Sequence, residues 1–481
     1  MKFKRIIKFL KKSAFIGLII IIALGLLSLL VFSTVDYTPL KEKSYYKETI
    51  SALDSLSIHS YASDPLQAGW AREHIIPQQA VNSAGYNRRG EIEGVHDSVF
   101  VSSVLINSGG QTTAIINYGL MIVHPILRDA VKEALADEVD HFYFTCTHTH
   151  SSFGGWAPGL AGYFSLGGYD EAIVSFLVEQ TKKSVLKAAS SLQPSSISFL
   201  KTNLRPLIGH RIDDHDRHTD PYLRVLKVKQ EGGSTAFITV FSAHPTCLHR
   251  DDYHISDDYT GFLKKRLEKE KAIDFVMFCA GGVGSHKPIF DGKNDMLWDK
   301  GIQAKEDRND PVIKEISYDV AKGYGEEVAI ALLNDTNKFT LIQPKAIAFA
   351  TLDVQLRAPH LRLSQNIRLR PWVFNTLIGQ EINPQITCLK IGPITFAGTP
   401  ADFSGELQKG IEQYIDSRHE LIITSFNGEY MGYITHDRHY NSGSHEVMEM
   451  NWFGPYNGAY FTEIIGKMVN KLDKEINEDK L

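Results

Sequence analysis

The sequence predicts an α/β fold in which a mixed sheet forms the core, helices flank it, and an N-terminal transmembrane helix precedes the domain. Short apolar runs of strand length alternate with longer segments whose apolar residues recur at helical spacing, which is typical of an α/β domain with a buried sheet. The composition, 43% hydrophobic and 22% charged, is that of a globular protein. A third observation, an uncharged apolar run near the N-terminus, predicts the membrane helix.

This N-terminal run follows a basic segment. Residues 1–13 carry most of the positive charge of the region, and residues 14–33 form an apolar stretch long enough to cross a bilayer. Basic residues ahead of a span favour a cytoplasmic N-terminus, so we expect the domain on the extracytoplasmic (periplasmic or extracellular) side. No A-x-A cleavage site follows the run, and we interpret it as a signal anchor, with a cleaved signal peptide as the alternative.

The remainder is expected to divide into a polar spacer at residues 34–65 and a globular domain at residues 66–481. Strands are predicted at Ser98–Ile106, Thr112–Asn117, Phe142–Cys146, Tyr222–Val228, Thr235–Phe241, Phe275–Phe278, Lys345–Val354, Ile386–Phe396 and Leu421–Ser425. Helices are predicted at His124–Leu135, Ala172–Leu192, Phe262–Glu270, Val312–Leu333, Phe403–Ile415 and Tyr460–Ile476. The charged stretch His286–Asn309 predicts a long surface loop.

Charge and cysteine content limit the function classes. The net charge is −5 and no basic block follows the N-terminus, which argues against a nucleic-acid partner. The four cysteines show no C-x-x-C spacing and lie in or beside apolar runs, so we expect buried thiols. Export would permit disulfides, and the sequence does not decide their pairing.

The most informative motif is Thr147-His148-Thr149-His150-Ser151, which follows a buried strand. Side chains two residues apart on extended backbone share a face, so both imidazoles could serve one site. Imidazole is the commonest metal ligand and the usual proton shuttle near neutral pH. A pair of hydrogen-bonded histidines at a strand end is the alternative.

Further polar clusters also follow apolar runs. His244 stands before a proline at the end of one predicted strand, where a satisfied core histidine is the alternative to a ligand. The next predicted strand is followed by the turn Gly281-Gly282-Val283-Gly284-Ser285, whose glycine amides could hold an oxyanion. Ligand sites of α/β proteins gather at strand C-terminal ends, so the clusters predict one composite site.

The C-terminal half adds a carboxylate and two tyrosines. Asp402 is either a metal ligand or the N-cap of a following helix, and its spacing favours the cap. Tyr430 and Tyr433 stand among glycines after the last predicted strand, where they suit a pocket wall or a ligand role.

With these motifs the sequence resembles the neutral/alkaline non-lysosomal ceramidases, from about Ala68 to Tyr460. The segments that carry the likeness are Gly94-Val95-His96-Asp97, the Thr-His-Thr-His motif, Ala243-His244-Pro245-Thr246 and Gly432-Tyr433-Ile434-Thr435. The resemblance implies a zinc amidase that cleaves the N-acyl bond of ceramide. It implies His148, His244, Asp402 and Tyr433 as zinc ligands and Ser285, His150 and His445 as catalytic residues, with Arg211, Gly284 and Tyr430 near the substrate.

Three departures accompany the resemblance. The family's zinc glutamate is replaced by the shorter Asp402, a family tyrosine falls on His445, and the aspartate of Gly-Asp-Val-Ser is missing before Ser285. The C-terminal β-sandwich domain of many ceramidases has no counterpart. The sequence also leaves open whether His148 or His150 is the ligand.

The leading hypothesis is therefore a zinc-dependent amide hydrolase that acts on ceramide or a related N-acyl lipid and is held at the membrane by its N-terminal helix. A metal-dependent esterase or deacylase of envelope glycans is the second hypothesis. A non-catalytic lipid-binding relative is the third.

Overall fold

Two mixed β-sheets form the centre of the protein, as a computed structural model shows; it describes residues 2–62, 65–86, 90–213, 218–290, 311–378 and 382–478. This architecture confirms the predicted α/β class. In chain order the sheet strands are β1 (His59–Ala62), β2 (Gln67–His74), β3 (Phe100–Ser108), β4 (Gln111–Tyr118), β5 (His141–Cys146), β6 (Gln193–Asn203), β7 (Tyr222–Gln230), β8 (Thr235–Phe241), β9 (Phe275–Ala280), β10 (Thr340–Ile342), β11 (Ala346–Asp353), β12 (Gln385–Ile391), β13 (Ile394–Gly398) and β14 (Glu420–Thr424).

The larger sheet has the order β9-β8-β7-β6-β2-β3-β4-β5, with β10 also paired to β6, and the smaller has the order β1-β11-β12-β13-β14. Parallel pairs join β8 to β9, β4 to β5 and β13 to β14, and the other neighbours are antiparallel. Short strand pairs lie outside both sheets: Phe32–Thr34 with Ile367–Leu369, Ser83–Ala84 with Ser152–Phe153, Gly94–Val95 with His254–Ile255, Ile208–His210 with His286–Pro288, and Asp402–Phe403 with Tyr433–Ile434.

Helices cover the outer faces of the two sheets. The helices of the described residues are α1 (Lys2–Val31), α2 (Ser44–Asp54), α3 (Pro125–Ala134), α4 (Gly159–Ser165), α5 (Glu171–Ser190), α6 (Asp258–Leu267), α7 (Pro311–Asn334), α8 (Pro371–Ile378), α9 (Gln408–Glu412), α10 (His445–Met448) and α11 (Asn457–Glu478). The α3/α5 and α6/α7 pairs pack on the larger sheet, whereas α2 and α11 pack on the smaller one.

The alternation of side chains along the strands explains the layering. In β3, Val101 and Leu105 face the helices, whereas Val104 and Ile106 point into the space between the sheets. Phe396 of β13 meets them there from the smaller sheet. Both faces of each sheet are therefore buried, and the domain has four layers in the order helix, sheet, sheet, helix.

The N-terminal region joins this body directly. Among the described residues, α1 is the helix long and apolar enough to cross a membrane, and its apolar window is wholly exposed. The segment predicted as a polar spacer is instead folded, because α2 buries Tyr46 and Leu53 against the smaller sheet and β1 pairs with β11.

Several predicted elements change in the structure. The single strand Ile386–Phe396 is a hairpin, since Gly392 adopts a positive φ of 56° and reverses the chain between β12 and β13. The helix Phe403–Ile415 shrinks to α9, because Asp402–Phe403 pairs as a strand. His286, placed in a surface loop, is buried in a short strand, and residues 291–310 of that loop lie outside the described residues.

Candidate active site

The site lies where the C-terminal ends of strands from both sheets meet. His148 follows β5, His244 follows β8, and the 281–285 turn follows β9. Asp402 follows β13, and Tyr430 and Tyr433 follow β14. Because β13 and β14 are parallel, their ends point the same way and deliver these residues together. The structure thus brings the predicted clusters of both sheets to one place.

The centre of the site is a cluster of three imidazoles. The Nε2 atoms of His148 and His244 lie 3.1 Å apart, those of His150 and His148 3.1 Å, and those of His150 and His244 3.0 Å. Two nitrogens bound to one tetrahedral zinc at 2.0–2.1 Å are separated by about 3.3 Å. The three nitrogens therefore converge as the ligands of a single small ion do. The Nε2 atom of His150 is as well placed for this as that of His148.

His148 is fixed in both orientation and tautomer. Its Nδ1 donates to the Met121 carbonyl at 2.5 Å, which leaves Nε2 as the unprotonated nitrogen that faces the cluster. Its ring stacks on Phe426 with the centroids 3.9 Å apart. The backbone of His148 is left-handed (φ 61°), so the two histidines converge through a turn beyond β5 rather than along an extended strand.

The threonines of the same motif point away from the histidines and tie it to the chain before α6. Thr147 donates to Asp257 at 2.6 Å and Thr149 donates to the Ser256 carbonyl at 2.7 Å. Asp257 in turn pairs with the buried Lys264 of α6. The motif therefore alternates between cluster residues and anchoring residues.

His244 has two possible tautomers. Its Nδ1 lies 3.2 Å from the Val283 carbonyl, which requires a donor, and 2.7 Å from Nη1 of Arg211, which only donates. The metal-binding form is the one that donates to Val283. Burial, and then the positive charge of Arg211, lowers the pKa of His244 well below its usual value, so the ring is held neutral.

Asp402 supplies the carboxylate of the site. Its Oδ1 lies 3.4 Å from Nε2 of His148, is buried, and has no hydrogen-bond partner among the described residues, whereas Oδ2 accepts from Tyr430 at 3.0 Å. Asp402 sits in a strand beside Tyr433, so the predicted helix N-cap is wrong. Burial, and then the Asp402 carboxylate, raises the pKa of Tyr433 well above its usual value.

A lone carboxylate oxygen in a dry site is costly, and a cation beside it removes that cost. Three imidazoles, one carboxylate and a phenol are also an acceptable donor set for zinc. The residues therefore fit a metal ion.

Two other groups of histidines and acids differ from this one. Asp252 accepts from His96 and His254 at 2.8 Å each, and Glu406 accepts from Arg438 and lies 3.2 Å from His439. In both groups the carboxylate already binds its neighbours. The cluster at His148 is distinguished by the unpaired Oδ1 of Asp402.

Arg211 and its counter-ion form the polar wall of the site. The Arg211 guanidinium binds Glu446 at 2.8 Å, and its backbone amide donates to the Ser285 carbonyl at 2.9 Å. His445, predicted as catalytic, is exposed, and its hydrogen bond goes to Glu449 at 2.8 Å. The structure thus turns Glu446, which sequence reasoning missed, toward the site, and leaves its neighbour His445 on the surface.

The 281–285 turn does not provide the predicted oxyanion amides. The amides of Gly281, Gly282 and Gly284 donate to Phe241, Ser242 and Phe403, respectively. Gly284 is needed for space, since a Cβ there would lie 2.4 Å from the Asp402 carbonyl. Ser285 is buried, and its hydroxyl lies 3.5 Å from Nδ1 of His286, which is itself 3.0 Å from the Gly282 carbonyl.

An apolar groove opens beside the cluster. It encloses about 540 Å³, and its walls come from α4, α8 and the chain around residues 361–369 and 450–452. Met121, whose carbonyl holds His148, and Tyr430, which holds Asp402, line its inner end. The groove therefore borders the residues that hold His148 and Asp402.

Comparisons with known proteins agree with the fold and the motifs. Residues 76–283, which contain the three histidines, match the family model of the neutral/alkaline non-lysosomal ceramidases, N-terminal. A neutral ceramidase of Pseudomonas aeruginosa is 24% identical over 238 residues, which cover 45% of this chain and 36% of that relative's length.

Solved structures extend the similarity of fold beyond the matched residues. The crystal structure of neutral ceramidase from Pseudomonas aeruginosa superposes with a TM-score of 0.70 at 16% identity, over 85% of this chain and 75% of that chain. The structure of a ceramidase complexed with C2 superposes with a TM-score of 0.67 at 16% identity, over 85% of this chain and 76% of that chain. Residues 76–283 are thus similar to the N-terminal domain of the neutral/alkaline non-lysosomal ceramidases, and the similarity of fold extends over 85% of the chain.

Proposed function

We propose that this protein is a zinc-dependent amide hydrolase that cleaves the N-acyl bond of ceramide or a related N-acyl lipid. The observation that carries the proposal is the convergence of three imidazole nitrogens beside an unpaired carboxylate oxygen at the inner end of an apolar groove. The aligned part of the curated relative covers little more than a third of its length, so the activity itself rests on this geometry.

The proposed zinc ligands are His148, His150 and His244, with Asp402 approaching from the smaller sheet and Tyr433 beside it. Zinc held there would polarise a carbonyl as a Lewis acid and activate water. The Met121 carbonyl keeps His148 in the tautomer that ligation requires, and a hydrogen bond from Nδ1 of His244 to the Val283 carbonyl would do the same for His244.

Other side chains of the site act on the substrate. We propose that Arg211, held by Glu446, donates to the polar part of the lipid, and that the Tyr430 hydroxyl holds Asp402 in place. Ser285 is assigned a donor role toward the carbonyl oxygen rather than a nucleophilic one. The neighbouring His286 is an unsuitable base, because its nitrogens already meet the Gly282 carbonyl and the Asp220 amide.

The groove favours a lipid over the envelope glycans of the alternative hypothesis. Apolar side chains dominate its walls, with leucine the commonest, and a glycan needs polar partners for its hydroxyls. A groove of about 540 Å³ holds much of one acyl chain, with the amide at the cluster end.

Fatty-acid release from N-acyl sphingoids by the purified full chain tests the proposal, together with zinc content. His244→Ala is expected to lose both the metal and at least about a thousandfold in activity, because the site loses a ligand. His74→Gln, an exposed histidine at the end of β2, is the matched control and should change neither quantity. A wild-type chain that binds zinc but releases fatty acid from no N-acyl lipid would overturn the assignment.

A further inference from the structure

An exposed apolar surface surrounds the mouth of the groove. We call it the lip, and its members are Leu160, Tyr163, Phe164, Leu363, Ile367, Trp372 and Leu377. Phe164 is 58% exposed and Trp372 55%, and α4 and α8, which carry several of the members, pack against each other. Large exposed apolar patches of this kind mark interfaces with a protein or a membrane.

The end of α1 is fastened to the lip. Nε1 of Trp372 donates to the Leu30 carbonyl at 2.7 Å, and the Arg370 side chain donates to the Leu29 carbonyl at 2.7 Å. Directly after the helix, Phe32–Thr34 pairs with Ile367–Leu369. A span that ends on these residues places the lip at the level where the helix leaves the bilayer.

The composition of the lip is typical of a surface at the membrane–water interface. Tryptophan and tyrosine are enriched where membrane meets water, and both stand here among leucines. Arg370 is exposed beside Trp372, and a basic side chain near a bilayer is attracted to anionic headgroups. The occupant that suits an apolar surface with flanking arginines at a helix exit is a lipid bilayer.

We propose that the lip inserts into the bilayer that α1 spans, so that the groove takes an acyl chain from the membrane without passage through water. The inference rests on the proposed function for the lipid substrate, and on α1 as the membrane span that the sequence predicts. It adds a membrane-docking surface and a route of substrate entry.

The first experiment measures depth. A nitroxide label is attached at Ile367→Cys or, as the control, at Ile330→Cys on α7, in the full chain reconstituted into lipid nanodiscs with some anionic lipid. The two isoleucines are 47% and 46% exposed, and the native cysteines are buried. At Ile367 collisions with oxygen should rise and collisions with a polar nickel complex should fall relative to Ile330.

Equal access of the nickel complex at both positions would overturn the proposal. Spin–spin broadening at Ile367 alone, in discs that hold two chains, would also overturn it, because the lip would then bind a second copy.

The second experiment separates docking from chemistry. Tyr163→Asp changes a lip residue that does not line the groove. It should slow hydrolysis of a long-acyl substrate embedded in vesicles about tenfold or more, because the charge opposes insertion. Hydrolysis of a short-acyl, water-soluble substrate should stay within about twofold.

The outcomes distinguish the two proposals. A Tyr163→Asp chain that loses both activities equally, or neither, contradicts the docking role. A wild-type chain that hydrolyses neither substrate contradicts the proposed function, while the depth measurement still decides whether the lip enters the bilayer.

Discussion

The hydroxyl of Tyr430 donates to Oδ2 of Asp402 at 3.0 Å and thereby leaves Oδ1 directed at His148, 3.4 Å from its Nε2. One phenol thus decides which carboxylate oxygen faces the histidine cluster. Aspartate is shorter than the glutamate expected from the family resemblance, yet its Oδ1 still reaches within 3.4 Å of Nε2 of His148.

Removal of that phenol should weaken metal binding. Tyr430→Phe is expected to reduce zinc affinity about 10- to 100-fold, because hydrogen bonds that orient ligands contribute on that scale. Competition with a fluorescent chelator measures the affinity. The fold should survive, so an unchanged zinc affinity would show that Asp402 is held by its backbone alone.

His150 should behave as a ligand. Its Nε2 lies as close to His244 as that of His148 does, so His150→Ala should lose bound zinc as completely as His148→Ala. Elemental analysis of the two purified variants makes the comparison. If His150→Ala kept its zinc and lost only activity, the proton-transfer role implied by the resemblance would be correct.

His286 should make stability depend on pH. Burial lowers its pKa from 6.5 to about 4, and the neutral ring satisfies both nitrogens. As the pH falls below 6.5 the unfolded chain takes up a proton that the native ring refuses, so the free energy of unfolding falls by about 1.4 kcal/mol per pH unit down to about pH 4.

Denaturant titrations at several pH values measure that slope. His286→Gln removes this contribution, and its slope between pH 6 and 4.5 should be shallower than that of wild type by about one proton. His445→Gln, an exposed histidine, should keep the wild-type slope. Identical slopes for His286→Gln and wild type would mean that the native ring takes up its proton in the same pH range as the unfolded chain, so that its pKa is not lowered.

The buried pair beneath the histidine motif should be costly to break. Lys264 and Asp257 are buried, and Asp257 also accepts from Thr147. Lys264→Met should destabilise the fold by about 3–5 kcal/mol, because an uncompensated buried carboxylate remains. Adding Asp257→Asn should restore part of that loss, and additive losses in the double variant would contradict the coupling.

Much of the site was predictable because its residue types are chemically specific. The i, i+2 spacing of His148 and His150 and the position of His244 after a strand located the cluster from the sequence alone. The two-sheet arrangement was not predictable, since strands buried on both faces show the same apolar runs in one sheet or in two. The strand β6 was missed because Gln193–Asn203 is largely polar.

The residues that position the site were harder to find. Glu446 and Phe426 act through contacts across the fold, with Arg211 and His148, and local sequence does not reveal such partners. Asp257 is another such partner, since it accepts from Thr147. The alternation of threonine and histidine in the motif was the available signal, since side chains opposite the histidines need partners as well.

The placement of the proposed ligands on two sheets would make metal binding a test of complete assembly. His148 and His244 come from the larger sheet, whereas Asp402 and Tyr433 come from the smaller one. A chain in which the layers have not yet docked presents only part of this set, and it would bind zinc weakly. Zinc bound by the native chain would therefore link the two sheets and shift the folding equilibrium toward the state in which they are packed together.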